Sequence, residues 1–459
     1  MSNYFLIPLD QSKKEYIKFY NLYFNTKLWD KFYFLPDFNL GSLSSDVSQN
    51  VFFLGNKKLS KLELIKESDE IIISFGFKNI DDFAILEYEQ NMGLFSSKSS
   101  HRLYLRKLLI ALDSFFKQND LSDFAIFMGA VSHFFPRAIL YFSKMYGVKL
   151  VMYTQSLIPG REFLVVDNEM FESYKLRKLF DSYIYHENDK VLLEEIKNEV
   201  VNGKIKNTYL ADAKISFKNE VKKFNLIANR FRLKFLNHRR IQYHIKKFFL
   251  RKVNAVIWLL FSKNEMPKKD FVFFPLHMPN EAQLYVRGNG YHEEYKLIKP
   301  ISILLKEKYL VVIKEHPGYE GWKSLKELFS YVCSSNVILV RSTISSHNII
   351  KNSAAIITLN SSVWFESLFF EKPVITFGKG VFSGYKVTKE MDNLEMFEDE
   401  LKKINFDFSK LIHDEKNTMQ FVKSYNDVSI DGFFYKPLLN GDLSYFKSFF
   451  ENVMNVNKK

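Results

Sequence analysis

The C-terminal half of this 459-residue chain alternates short β-rich runs with amphipathic stretches, and that alternation restricts the fold more than any other feature of the sequence. The runs lie at Phe271–His277, Leu310–Lys314, Val337–Val340, Ala355–Leu359 and Val374–Phe377. Helical patterns separate them at His292–Lys306, Trp322–Cys333, Ser346–Asn352 and Val363–Phe370. Strand–helix–strand order of this kind predicts a parallel sheet with right-handed crossovers. The N-terminal half reads similarly, with strands expected at Val51–Leu54, Glu70–Phe75, Phe124–Met128 and Leu150–Thr154 and a helix over Phe134–Tyr146 that Gly147 ends. The length exceeds one ordinary core, so two α/β domains in series are expected. Their boundaries are read as 1–210 for the first, 211–265 for a basic helical linker and 266–435 for a Rossmann-like second domain. A terminal piece, 436–459, carries an amphipathic helix at Leu443–Val453 that packs back on the first domain.

Composition excludes several classes. Hydrophobic residues at 47% and aromatics at 17%, with only 17 Gly and 11 Pro, fit neither a disordered nor a fibrous chain. Cys333 is the single cysteine, so no intrachain disulfide forms. The N-terminal residues carry no secretory pattern, and the most apolar run, Val253–Phe261, is far shorter than the ~20 residues of a spanning helix. A cytoplasmic location without a transmembrane segment is the expectation. The net charge of +13 is concentrated: Lys214–Lys252 holds thirteen Lys/Arg against one acid, Glu220. Interspersed Phe residues make this segment either an interfacial element peripheral to an anionic membrane face or a pair of linker helices. Nucleic-acid binding is not expected, because no base-reading or stacking module accompanies the charge.

In open parallel sheets ligands bind beyond the carboxyl ends of the strands, and three polar clusters fall there: His277 to Glu281, Glu315-His316-Pro317-Gly318 and Asn360-Ser361-Ser362. Ser361 and Ser362 precede a helix, where free N–H groups and hydroxyls can receive a phosphate. Glu366, one turn on, is placed to accept from ribose hydroxyls. His316 can donate to a phosphate oxygen, and Pro317 holds it extended. The ordinary readings are an N-cap for Ser362, a solvated charge for Glu366 and plain strand exits for His316, His277 and Glu281. No spacing of His, Cys or carboxylates reads as a metal site, so a metal-independent site without a resident cofactor is expected.

Three stretches, FFPLHMPNEAQ at Phe273–Gln283, VVIKEHPG at Val311–Gly318 and TLNSSVWFESLFFEKPVITFGKG at Thr358–Gly380, together resemble the capsule polysaccharide biosynthesis family, which includes bacterial 3-deoxy-manno-octulosonic acid (Kdo) transferases. Bacterial sialyltransferases have a similar His-Pro and Ser-Ser pair. The resemblance implies a GT-B-like architecture, two Rossmann-type domains with a central cleft. It also implies a glycosyltransferase that moves a sugar, Kdo or another CMP-activated acid sugar, from a nucleotide donor to a bacterial surface glycan or glycolipid acceptor. It implies that His316 and Ser361/Ser362 hold the donor phosphate and that Glu366 lies near the ribose; Pro317, Gly318, His277 and Glu281, from their strand-exit positions, are counted with them on the donor side, and the N-terminal domain is the acceptor side. Tyr153–Glu162 looks like the family's strand-exit loop. The acidic-acidic-Gly motif of the Kdo enzymes is not recognisable here. Candidates for the base that deprotonates the acceptor are therefore Glu162 and Asp167 after that strand, with Glu89 as a further one. Two other functions share this outline: a non-catalytic component of polysaccharide assembly or export, and a sugar-nucleotide epimerase.

Overall fold

The computed structural model describes residues 4–9, 31–36, 59–84, 98–122, 124–129, 134–159, 161–166, 173–202, 238–278, 281–316, 321–411 and 414–431. They form two compact units, Met1–Tyr185 with Val422–Lys459, and His186–Phe421. The expected strand Val51–Leu54, the helix Leu443–Val453 and the basic residues from Lys214 to Asn237 lie outside the described residues.

The first unit is built on the strands β1 (Tyr4–Leu9), β2 (Lys31–Pro36), β3 (Phe124–Gly129), β4 (Lys149–Gln155) and β5 (Arg161–Val166). The order β2-β1-β3-β4 is parallel throughout, and β5 adds antiparallel to β4. Among its described helices are α1 (Lys61–Ser74), α2 (Lys98–Gln118) and α3 (Phe134–Tyr146). The sequence pattern placed a strand at Glu70–Phe75, and the structure corrects it to the end of α1. Consecutive Ile residues there favour a strand, but the start signal upstream prevails. Ser60 Oγ accepts from Glu63 N–H at 3.3 Å, and the Glu63 carboxylate accepts from Ser60 N–H at 2.8 Å, a capping box. Leu64, Ser68 and Ile72 then fall four residues apart on one buried face. Helix α3 has the bounds expected and ends at Gly147, whose φ of +66° closes the helix as a left-handed C-cap.

The second unit begins with α4 (Asn188–Asn202) and α5 (His238–Phe261) and then winds through a parallel sheet. Its strands are β6 (Phe271–Pro275), β7 (Leu310–Lys314), β8 (Val337–Val340), β9 (Ala355–Thr358), β10 (Val374–Thr376) and β11 (Lys389–Glu390). Between them run α6 (Ala282–Arg287), α7 (Tyr295–Leu305), α8 (Leu325–Val332), α9 (Ser346–Asn352) and α10 (Val363–Leu368), followed by α11 (Leu394–Lys403). All five residues of β6 and all four of β9 are buried, as continuous apolar runs covered on both faces require. Each fully buried Phe or Ile stabilises the unit by about 1.5–3 kcal/mol relative to exposure. The spatial order is β11-β10-β9-β6-β7-β8, so the chain runs outward from β6 in one direction and then from β9 in the other. That is the doubly wound, Rossmann-like order, and the reversal lies between β6 and β9.

Helix α5 is seated on this unit by a glycine. Gly321 has φ +75°, and a Cβ there would stand 2.2 Å from the Arg251 carbonyl oxygen and 2.6 Å from Ala255 N. Beside it the Arg251 guanidinium lies 3.6 Å from the centre of the Trp322 ring, Asn254 donates to the Lys323 carbonyl at 2.9 Å, and Trp258 is buried. The chain returns to the first unit inside α12 (Glu415–Val428), which crosses the unit boundary between Phe421 and Val422. The strand that follows, β12 (Ser429–Asp431), pairs antiparallel with β5, Ile430 opposite Glu162. Tyr425 secures the junction: its hydroxyl accepts from Leu157 N–H at 3.1 Å.

Candidate functional site

The strand order makes β9, β6 and β7 neighbours, so the polar segments that follow them share one edge of the second sheet. After β6 come His277 and Glu281, at and after the end of β7 Lys314, Glu315 and His316, and after β9 Asn360, Ser361 and Ser362. Gly378, beyond β10, lets a fourth segment close in: a Cβ at this position would stand 2.7 Å from the Arg287 carbonyl oxygen and 2.9 Å from that of Leu359. Lys379 N–H donates to the Arg287 carbonyl at 2.9 Å, tying the end of α6 to this loop. The sequence-predicted donor-side residues that the structure describes are thus brought to a single edge. Pro317 and Gly318 lie outside the described residues.

Ser361 and Ser362 precede α10, which has only six residues and therefore offers little helix dipole. Ser362 has helical φ and ψ and makes no side-chain capping bond, and its side chain is exposed. The hydroxyl of Ser361 accepts weakly from Val363 N–H at 3.5 Å. Glu366 is already engaged, its Oε2 lying 2.9 Å from His347 Nε2 on α9. The sequence reading missed His347, which follows a strand end but stands 19 positions before its partner. It also missed Lys314, the last residue of β7, whose buried Nζ donates to the Ile344 carbonyl at 2.6 Å and to Ser346 Oγ at 2.8 Å. Burial pulls the Lys314 ammonium down to about 8, against a partial opposing pull from the Glu366 carboxylate. A lysine ending an otherwise apolar strand, LVVIK, was the available signal.

His277 and Glu281 belong to a buried ionic cluster rather than to plain strand exits. The Glu294 carboxylate, at the amino end of α7, accepts from His277 N–H at 3.1 Å, lies 2.8 Å from His277 Nδ1, and pairs with Lys323. Burial pushes the Glu294 carboxyl up, but the Lys323 ammonium and the His277 hydrogen bond outweigh it and hold it at about 2. Lys323 is raised in turn, since Glu294 and Glu327 overcome the burial that would lower it. Glu281 is partly exposed as a residue, yet its carboxyl is desolvated and raised by burial, an effect His277 and Arg287 only partly offset. Nε2 of His277 is enclosed, so this imidazole acts by holding the β6 exit in place, not as an open ligand-facing group in this conformation.

The expected acceptor-side loop Tyr153–Glu162 is a hairpin. Tyr153 to Gln155 end β4, and Arg161 with Glu162 open β5, where Glu162 stands opposite Gln155. Glu162 is therefore a strand residue between two partners, β4 and β12, and not a loop residue. Asp167 and Glu89 lie outside the described residues. Among the described residues no three His, Cys, Asp or Glu side chains gather as a metal site would require.

The strand order and its polar carboxyl edge define the class of the second unit, a doubly wound α/β protein of the Rossmann-like kind. Residues 187–412, just under half of the chain, match the family model described as capsule polysaccharide biosynthesis protein. No curated protein matches it in sequence. Among solved structures, KpsC of Thermosulfurimonas dismutans, a beta Kdo 2,7 transferase, is 15% identical, with 65% of this chain and 74% of that one covered and a TM-score of 0.30. A UDP-GlcNAc 2-epimerase of Methanocaldococcus jannaschii, bound to UDP-GlcNAc and UDP, is 11% identical over 92% of this chain and 99% of that one, with a TM-score of 0.29. The Neisseria meningitidis UDP-GlcNAc 2-epimerase is 11% identical over 93% and 97%, with a TM-score of 0.28. Likenesses of this size carry no argument about activity, and the fold assignment rests on the strand order.

Proposed function

We propose that this protein is a nucleotide-sugar-dependent glycosyltransferase of capsule or surface polysaccharide synthesis, with its donor held at the carboxyl edge of the second sheet. The observation that carries the reading is the reversal of strand order between β6 and β9, with β7 alongside, which gathers His316, Ser361 and Ser362 where doubly wound sheets hold ligands. In this reading His316 N–H and the two serine hydroxyls donate to the donor's phosphate oxygens. Lys314 acts through its field on the anion, being already bonded to Ile344 and Ser346. The His347–Glu366 pair borders the same place, and Glu366 has one carboxylate oxygen left for a ribose hydroxyl. Departure of the nucleotide is then assisted by hydrogen-bond donors and positive charge already in position. Transfer also needs a base at the acceptor hydroxyl, for which Glu162 and Asp167 are the candidates. The donor proposed is a CMP-activated acid sugar such as Kdo, and the acceptor a bacterial glycan or glycolipid.

The reading is tested by measuring the thermal unfolding midpoint with CMP, UDP and GDP. A ligand at about a hundred times its Kd stabilises by about 2.7 kcal/mol, so one nucleotide should raise the midpoint clearly. None doing so would sink the donor site. Product analysis separates the activities: a transferase consumes the sugar nucleotide only when acceptor is present, whereas an epimerase converts it alone. With charge compensation supplied by His316, Lys314 and the serines, activity is expected to persist in excess EDTA. Loss on chelation with recovery on Mg²⁺ would assign that work to a metal.

A further inference from the structure

Helix α5 meets the demands of the second unit with one face and leaves the other apolar and in solvent. Its inner face is the one fastened by Arg251, Asn254, Ala255 and Trp258. On the outer side Phe249, Val253, Val256 and Leu260 are 63%, 51%, 58% and 76% exposed. Single exposed apolar residues are ordinary, but four in register along one helix form a continuous patch. Their spacing extends in sequence towards the start of the helix: Arg239, Gln242, Lys246, Phe249, Val253, Val256 and Leu260 follow one another in steps of three and four. Read along the sequence, this spacing begins with basic residues and ends with apolar ones. The preceding stretch, Lys214–Asn237, adds seven further Lys/Arg against one acid.

We propose that this face of α5 binds the surface of an anionic phospholipid bilayer, the helix lying in the plane of the interface. The apolar end enters the boundary between headgroups and acyl chains, and the basic end meets the lipid phosphates. Among the described residues no helix is long and apolar enough to cross a membrane, which leaves the in-plane arrangement for an apolar face of this size. Charge complementarity selects lipid over a second copy of the chain. Two α5 helices packed in parallel would bring like charges together, and packed antiparallel they would set Lys246 against the apolar end of the partner. The inference stands apart from the nucleotide site and does not depend on it.

The test is cosedimentation of the full chain with vesicles of phosphatidylglycerol in phosphatidylcholine, against phosphatidylcholine alone. Binding should be about tenfold or more stronger with the anionic lipid and should weaken as salt shortens the reach of charge. Val256→Asp with Leu260→Asp should weaken binding about tenfold or more while leaving the unfolding midpoint unchanged, because both side chains face solvent. Lys246→Gln with Arg239→Gln should weaken it on the anionic vesicles only. Three results would overturn the proposal: no sedimentation of the wild type with anionic vesicles at low salt, undiminished binding by the Asp variant, or a wild-type dimer in light scattering that the Asp substitutions dissociate and that ignores lipid.

Discussion

At neutral pH the Lys314 ammonium is enclosed with one carbonyl and one hydroxyl to receive it. Its ordinary value is 10.5 and its folded value about 8, so between those two the unfolded chain holds more protons than the folded one. The stability this residue governs therefore rises with pH across that window, and below about 8 the cost is constant, at most on the order of 3 kcal/mol. Lys314→Met should accordingly gain on the wild type near pH 7 and lose that advantage towards pH 10, as read from urea denaturation at both; an advantage independent of pH would contradict the assignment. The Glu294 carboxyl is depressed as well, and the stability it governs also rises with pH, but as an acid it gains from the shift where the lysine loses. Its folded value is held near 2, so its contribution is complete above about 4.5 and is lost as pH falls towards 2. Glu294→Gln leaves buried Lys323 with only the more distant Glu327 carboxylate, at 3.7 Å, and should cost about 3 kcal/mol in a denaturation experiment at pH 7. Ligand binding should respond to different residues. His316→Ala, and Ser361→Ala with Ser362→Ala, remove donors from partly exposed or exposed positions and should each weaken nucleotide binding about tenfold with the fold intact. Calorimetric affinities equal to the wild type's in both would discard this edge as the donor site.

Among elements, the seat of α5 depends on a residue without a side chain. Gly321→Ala would drive a methyl group into the backbone at Arg251 and Ala255 and also strain a φ of +75°. It should destabilise the second unit by about 2 kcal/mol or more, with faster hydrogen exchange over 251–261 than over β6. The same elements show what a sequence makes legible. The strands β6 to β10 were readable because each is a short apolar run, largely β-branched or aromatic, buried on both faces and punctuated by polar residues at the ligand edge. At Glu70–Phe75 the same cue misled, because three successive Ile residues outweighed the Ser60–Glu63 start signal ten residues earlier. The first two residues of β5, Arg161 and Glu162, fall inside the expected loop Tyr153–Glu162, because Pro159 and Gly160 are turn residues and the run FLVV that marks the strand comes only after them. The serine pair and His316 could be found because chemistry at a strand end is local. Glu294 and Lys323 could not, because Glu294 meets His277 across 17 positions and Lys323 across 29, and only the fold brings them together.

For the whole molecule, the informative feature is the path of the chain between its two units. The first unit's sheet is completed by β12, which follows the entire second unit in sequence. Ile430→Pro would disrupt pairing with β5 and should lower the unfolding midpoint of the first unit while nucleotide binding in the second persists; loss of both together would show that the units do not behave independently. During synthesis the ribosome makes residues 186–421 between the two parts of the first unit. At about 5–20 residues per second that interval is on the order of tens of seconds. Throughout it β5 presents an open edge in the nascent chain, while the contiguous second unit can finish folding as soon as it emerges. The order of birth is thus the reverse of the order of completion: the domain that starts first closes last, and chaperones that mask strand edges would have most to do on the N-terminal part of this chain.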